Sequence, residues 1–135
     1  MANMKVLFVC SGNAFRSPVA EALSKKLKPG IEADSAGTNP AIPIAGSAKS
    51  YLVREEAEQY LKRSPESLEE KDLSKYDLVV AMEPRHKEIV LSKCPESSDK
   101  IVVWNIADPY FLPQGYTERI FEHIKQRVKE LADPL

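Results

Sequence analysis

The segment Lys5-Val6-Leu7-Phe8-Val9 constrains this chain more than any other feature of it. After its first residue it is apolar without alternation, and β-branched and aromatic types dominate. A strand with one wet face alternates polar and apolar residues. An unbroken run predicts a strand buried on both faces, as in a parallel sheet. Ser17-Pro18 then reads as a helix start, with Ser17 as cap, Pro18 at the first helical position and Glu21 in the first turn. Val19, Ala22, Leu23 and Leu27 carry the helix on, and Pro29-Gly30 stops it. Strand, loop and helix make the first half of a βαβ unit.

The pattern recurs along the chain. Ile31 to Ser35 reads as a weaker strand, and a proline-bearing loop, "GTNPAIPIAG", follows it. A helix is expected from about Ser47 to Leu61, with a ragged apolar face. Ser67-Leu68-Glu69-Glu70 has capping-box spacing and predicts a short helix. Leu78 to Met82 is a buried strand, Arg85 to Leu91 a helix, and Ile101 to Trp104 a fourth strand. Ile120, Phe121, Ile124, Val128 and Leu131 fall on one face of a last helix. The expected class is therefore α/β: an open four-stranded parallel sheet, doubly wound with helices on both faces, a flavodoxin-like or Rossmann-like three-layer sandwich. At 135 residues, one domain spanning 1–135 is expected.

A formal charge of −1 argues against nucleic-acid or membrane-surface binding, which normally demands a basic excess. No apolar run approaches the ~18 residues of a membrane span, and the N-terminus does not read as a signal peptide. Two cysteines, Cys10 and Cys94, are too few for a disulfide scaffold. The reading is a soluble, cytoplasmic protein. His86 and His123 stand alone and neither cysteine has a chelating neighbour, so neither metal nor cofactor is expected.

The chemistry gathers where the first strand ends, in "CSGNAFRSP" from Cys10 to Pro18. A loop between a buried strand and a helix start aims several backbone N–H groups at one point, and the helix dipole adds to that field. Such a nest suits a phosphate. Gly12 permits a tight path, and Asn13 tolerates the left-handed region. Arg16 would grip phosphate oxygens with its planar guanidinium. Amides, dipole and arginine all favour the thiolate of Cys10, and Ser17 offers the sulfur a further hydrogen bond. The candidate is a nucleophile beneath a bound phosphate. Asp108, just past the fourth strand, would sit at the same edge of the sheet.

With those residues in hand, the chain resembles the low-molecular-weight protein tyrosine phosphatases. The resemblance rests on "VLFVCSGNAFRSPVAEAL", on "DSAGT" at Asp34 to Thr38, on "DLSKYDLVVAMEP" at Asp72 to Pro84 and on "DPYF" at Asp108 to Phe111. It implies a cysteine-dependent phosphomonoester hydrolase, specifically a protein tyrosine phosphatase. Cys10 would attack phosphorus to form a cysteinyl-phosphate. Arg16 and the amides of Ser11, Gly12, Asn13, Ala14 and Phe15 would hold the phosphoryl oxygens. Asp108 would protonate the leaving oxygen and then activate water. Asn13, Ser17 and Ser35 match residues that support the loop, and Tyr110 an aromatic beside the pocket mouth. The implied substrates are a phosphotyrosine protein or a small aryl phosphate, with the enzyme a monomer or weak dimer.

The chain departs from the family pattern in four places. Phe15 replaces a cysteine that often precedes the arginine and can shield the nucleophile as a disulfide. Met82-Glu83 replaces a usual Met-Asp pair, read as a harmless shift at a helix start. A supporting histidine before the third strand is missing. Asn39 to Ile44 contains no aromatic, leaving Ile42 and Ile44 as candidates for an aliphatic lip. Two alternatives stay open: a thioredoxin-coupled arsenate reductase, which needs two more cysteines where only Cys94 exists, and a non-catalytic phosphoanion-binding module, which has no use for Asp108.

Overall fold

A computed structural model describes residues 4–109 and 112–131. Four parallel strands, β1 (Met4–Cys10), β2 (Ile31–Gly37), β3 (Leu78–Ala81) and β4 (Ile101–Val103), lie in the order β2-β1-β3-β4. The unbroken apolar run is explained by this order. β1 pairs with β2 on one side and β3 on the other, so both its edges and both its faces are covered. Val6, Leu7, Phe8 and Val9 are all at 0 % exposure.

Helices α1 (Arg16–Leu27), α2 (Gly46–Arg54), α3 (Pro84–Lys93) and α4 (Thr117–Lys129) complete the layers. The pleat sends Val6, Phe8 and Cys10 into one core with Val19 and Leu23 of α1, Leu52 of α2 and Phe121 and Ile124 of α4. Leu7 and Val9 point the other way, against Val79, Ala81 and Val90 of α3. The doubly wound α/β architecture is thus as expected. After β1 the chain turns to β2 on one side and later crosses to β3 on the other. The carboxyl end of β1 is therefore the switch point where such sheets bind ligands. Among the described residues no helix is long and apolar enough to cross a membrane.

The helix boundaries differ instructively from expectation. The second helix stops at Arg54 rather than Leu61, because Glu56 takes φ 56° and Ala57 N–H turns back to Leu52 O. A short 3-10 turn over Glu58–Tyr60 follows. Ser67 does cap, but its oxygen receives Glu69 N–H at the head of a single 3-10 turn, Leu68–Glu70. α1 begins two residues earlier than predicted, at Arg16 rather than Pro18, and no side chain caps it. Ser17 lies inside its first turn, with its hydroxyl committed elsewhere.

Candidate active site

The loop leaving β1 is held flat against β2. Gly37 is the register partner of Cys10, and Thr38 and Asn39 donate their N–H groups to Cys10 O and Ser11 O at 2.9 and 2.8 Å. At Gly37 a Cβ would stand 2.6 Å from Ser11 O, so this close approach demands glycine. Asn13 takes φ 53°, the left-handed conformation its short amide tolerates. That curl brings its own N–H to within 3.3 Å of Cys10 Sγ. No side chain caps the start of α1, so its first N–H groups are not taken up by a cap.

Around the sulfur a buried network closes. Ser17 Oγ lies 2.9 Å from Cys10 Sγ, and Asn13 Nδ2 donates to Ser17 Oγ at 2.8 Å and to Ser35 Oγ at 2.9 Å. Ser35 Oγ donates to Glu21 Oε1 at 2.5 Å. The loop-support trio Asn13, Ser17 and Ser35 is therefore brought together, each at 0 % exposure. Two members of the network were not anticipated. Lys62 donates from Nζ to Asn13 Oδ1 and Ser35 O, both at 2.8 Å, and Glu66 N–H donates to Asn13 Oδ1 at 2.8 Å. Lys62 lies in the chain before the third strand and joins the support network around Asn13. A lysine in a polar stretch carries no periodicity that marks it as part of a site.

Cys10, Ser11, Gly12, Ala14, Arg16 and Asp108 share one small cavity of about 30 Å³, with Phe15 at its wall. Arg16 is 2 % exposed. Its Nη1 donates to Glu83 Oε2 at 2.6 Å and to Ile106 O at 2.8 Å, while Nη2 lies 3.6 Å from Asp108 Oδ2. Arg85 Nη2 bridges the two carboxylates, 2.9 Å from Glu83 and 3.4 Å from Asp108. Glu83 is therefore no harmless shift, since its longer side chain reaches the loop arginine. Partial burial raises its proton affinity, but the hydrogen bonds and charges of Arg16 and Arg85 outweigh that and hold it below the usual carboxylate range.

His86, which stands alone in the sequence, is not alone in the fold. It is fully buried at the head of α3, accepting Glu83 N–H on Nδ1 at 3.1 Å, with Nε2 2.9 Å from Ser11 Oγ. A nitrogen that accepts carries no proton, so Nε2 is the donor and Ser11 the acceptor. Burial, aided by the Arg16 charge, pushes its pKa down to about 4. The neutral imidazole is thus a strut for the loop.

The expected rim is only partly placed. Tyr110 lies outside the described residues. Ile42 is 44 % exposed and lines a shallow groove with Pro40, Pro43 and Pro65. Ile44 is buried at 6 % exposure. Neither isoleucine lines the cavity of Cys10 and Asp108. Among the described residues no cluster of histidine, cysteine or carboxylates could hold a metal ion.

A thiol under an amide nest, with an arginine and a carboxylate in the same cavity, defines a site for covalent chemistry on an oxyanion. The sequence profile of the low molecular weight phosphotyrosine protein phosphatases matches residues 5–135, and the chain belongs to that family. Low molecular weight protein-tyrosine-phosphatase Etp of Escherichia coli (strain K12) is 30% identical over 100% of this chain and 99% of its own. The structure of the low molecular weight protein tyrosine phosphatase of T. tengcongensis superposes with a TM-score of 0.80 at 34% identity, covering 93% of this chain and 95% of that one. That of YwlE arginine phosphatase, a Cys→Ser mutant with a phosphorylated active-site serine, gives 0.76 at 26% identity over 95% of both chains. The chain is a cysteine-dependent phosphatase of the low molecular weight type.

Proposed function

We propose that the enzyme hydrolyses phosphotyrosine in proteins in two displacements at Cys10. In the first, the thiolate attacks phosphorus, the P–O bond to the aryl group breaks and Asp108 gives its proton to the departing oxygen. In the second, the Asp108 carboxylate takes a proton from water as that water attacks phosphorus. The P–S bond then breaks, inorganic phosphate leaves and the thiolate returns. Arg16 and the N–H groups of the Ser11-to-Phe15 loop hold the equatorial oxygens through both steps. The observation that carries this reading is the shared cavity of Cys10, Arg16 and Asp108. A pure anion-binding module would not need the carboxylate there. Arsenate reduction by a cysteine relay finds no support, since Cys94 packs against the opposite core and Met82 is a buried side chain.

A second reading, phosphoarginine as substrate, is favoured by one feature. The mouth carboxylates Asp108 and Glu83 already hold a guanidinium, that of Arg85, and the Asn39-to-Ile44 segment offers no ring to flank a tyrosine. The test is turnover of a small aryl phosphate by the parent, Cys10→Ser and Asp108→Asn, followed by phosphotyrosine and phosphoarginine peptides. Loss in Cys10→Ser and a fall of ~10²–10⁴-fold in Asp108→Asn are expected. Turnover that survives Cys10→Ser would overturn the reading. Faster release of phosphate from the phosphoarginine peptide would install the second.

A further inference from the structure

Behind the loop lies a charged layer that the reaction as described does not use. Lys62, only 8 % exposed, has its Nζ 2.7 Å from Glu66 Oε1 and 3.8 Å from Glu21 Oε1. Glu66 also pairs with Lys71 at 3.0 Å, Lys71 with Asp34 at 2.9 Å, and Glu21 with Lys25 at 2.7 Å. Three lysines thus face three carboxylates. The layer is electrically balanced only while Lys62 is present.

The direction of every hydrogen bond between this layer and the sulfur follows from donor chemistry. The Lys62 ammonium and Glu66 N–H can only donate, so the Asn13 atom they meet is its carbonyl oxygen. Its Nδ2 therefore faces Ser17 and Ser35 and donates to both. A thiolate can only accept, so with Cys10 ionised Ser17 accepts from Asn13 on one lone pair and turns its single proton toward Cys10 Sγ. Lys62, Asn13, Ser17 and Cys10 form one chain in which each donor points at the sulfur. Chains aligned in this way polarise cooperatively, and a cation at the far end reinforces every link.

We propose that Lys62 is a positioning residue of this phosphatase, locking the Asn13 amide and lending its charge, through Asn13 and Ser17, to the thiolate of Cys10. The inference rests on Cys10 being the nucleophile. Other charged groups face the same sulfur region. Arg16 and Asp108 share its cavity, Glu83 and Arg85 stand behind Arg16, and His86 acts through Ser11. None of these contacts Asn13 Oδ1. Replacing Lys62 by methionine leaves the layer net negative and removes the fixed donor to Asn13, and both changes oppose the thiolate.

The experiment uses a Cys94→Ser background, so that iodoacetamide reports only Cys10, and follows the alkylation rate against pH. In Lys62→Met the midpoint is expected to rise by about one pH unit, slowing alkylation roughly tenfold below the midpoint with the alkaline plateau unchanged. Lys62→Arg, which keeps charge and donor, should restore the parent profile. The acid limb of kcat/KM for an aryl phosphate should shift in parallel. Lys62→Gln keeps an N–H but drops the charge, and guards against a variant that does not fold. A midpoint within about 0.2 unit of the parent in either neutral variant overturns the proposal, and so does failure of both to fold, which would make Lys62 a purely structural residue. Alkylation needs no turnover. A shifted midpoint in a parent that hydrolyses no phosphoester would retain the Lys62 chain and reject the phosphatase assignment.

Discussion

Glu83 takes one corner of the Arg16 guanidinium, accepting a hydrogen bond from Nη1 at 2.6 Å. The carbonyl of Ile106 takes the other Nη1 hydrogen at 2.8 Å. With Nη1 fully committed, the rest of the planar fork is fixed in direction, and Nη2 is the atom that nears Asp108 in the cavity. Glu83 therefore orients the arginine, yet its negative charge also opposes a phosphate dianion bound to the same group.

These two effects separate by substitution. Glu83→Gln keeps an acceptor for Nη1 and removes the charge. Its kcat should stay within about fivefold of the parent, while competitive inhibition by inorganic phosphate tightens about three- to tenfold, the worth of ~1 kcal/mol across a partly screened distance. Glu83→Ala removes the acceptor too, and kcat/KM should fall ~10–100-fold as the fork loses its direction. Equal phosphate inhibition in parent and Glu83→Gln would show that the charge is not felt at the site.

His86 ties stability to pH in a window of its own. In the fold it protonates at about 4, against 6.5 for an unperturbed histidine, because burial and then the Arg16 charge disfavour the cation. Between those values the unfolded chain binds the extra proton, so the contribution is complete above pH 6.5 and drains away as pH falls toward 4. The full amount is on the order of 3 kcal/mol. The depressed carboxylates Asp34, Glu66 and Glu83 act lower, since their stabilisation begins to fade only below ordinary values of 3.8 to 4.5. Urea unfolding should show parent stability falling between pH 6.5 and 5, and His86→Gln should be less stable at pH 7 with a much flatter slope there. A parallel slope in both would remove His86 as its source.

Much of this arrangement is legible in the chain because it is local. The β1 run, the nine residues of the loop and Asp108 past β4 are contiguous or sit at strand ends, where the sheet's geometry dictates their neighbours. The supporting shell is not local. Lys62 meets Asn13 from 49 residues away, Glu83 meets Arg16 from 67 and His86 meets Ser11 from 75. Lys62 lies in irregular chain after a 3-10 turn, and Glu83 and His86 at the start of α3, where polar residues carry no pattern that marks a distant partner. Ser17 lies inside the first turn rather than at the cap, 2.9 Å from Cys10 Sγ; the rule that favours serine at helix starts does not know that a cysteine lies beneath it.

Phe15 shapes the response to oxidants. It stands in the cavity wall beside Cys10, and Cys94 packs against the opposite core. Oxidised Cys10 thus has no neighbouring thiol with which to form a disulfide, and further oxygen addition competes with rescue. After graded exposure to hydrogen peroxide, the share of activity that dithiothreitol restores should fall steadily with dose. Phe15→Cys should raise that share several-fold and yield an intramolecular disulfide visible by mass as a loss of two hydrogens. Full recovery of the parent after prolonged exposure would point to some other protection.

Gly37 tests whether the loop's path, rather than its residue types alone, sets activity. A Cβ there would lie 2.6 Å from Ser11 O and 2.9 Å from Asn13 N, both backbone atoms of the loop that cannot swing aside as a side chain would. Gly37→Ala must push the loop away from β2. The Asn13 N–H that donates to Cys10 Sγ at 3.3 Å moves with it. A displacement approaching 1 Å at reacting groups costs ~10²-fold, and a loss of that order in kcat/KM is expected in a protein that still folds. Gly46→Ala is the matched control. Gly46 opens α2 with nothing within 4 Å of an added Cβ, so activity should hold and stability rise by up to ~1 kcal/mol. Comparable activity in the two variants would mean that the loop tolerates displacement, and that the close approach at Gly37 matters for packing alone.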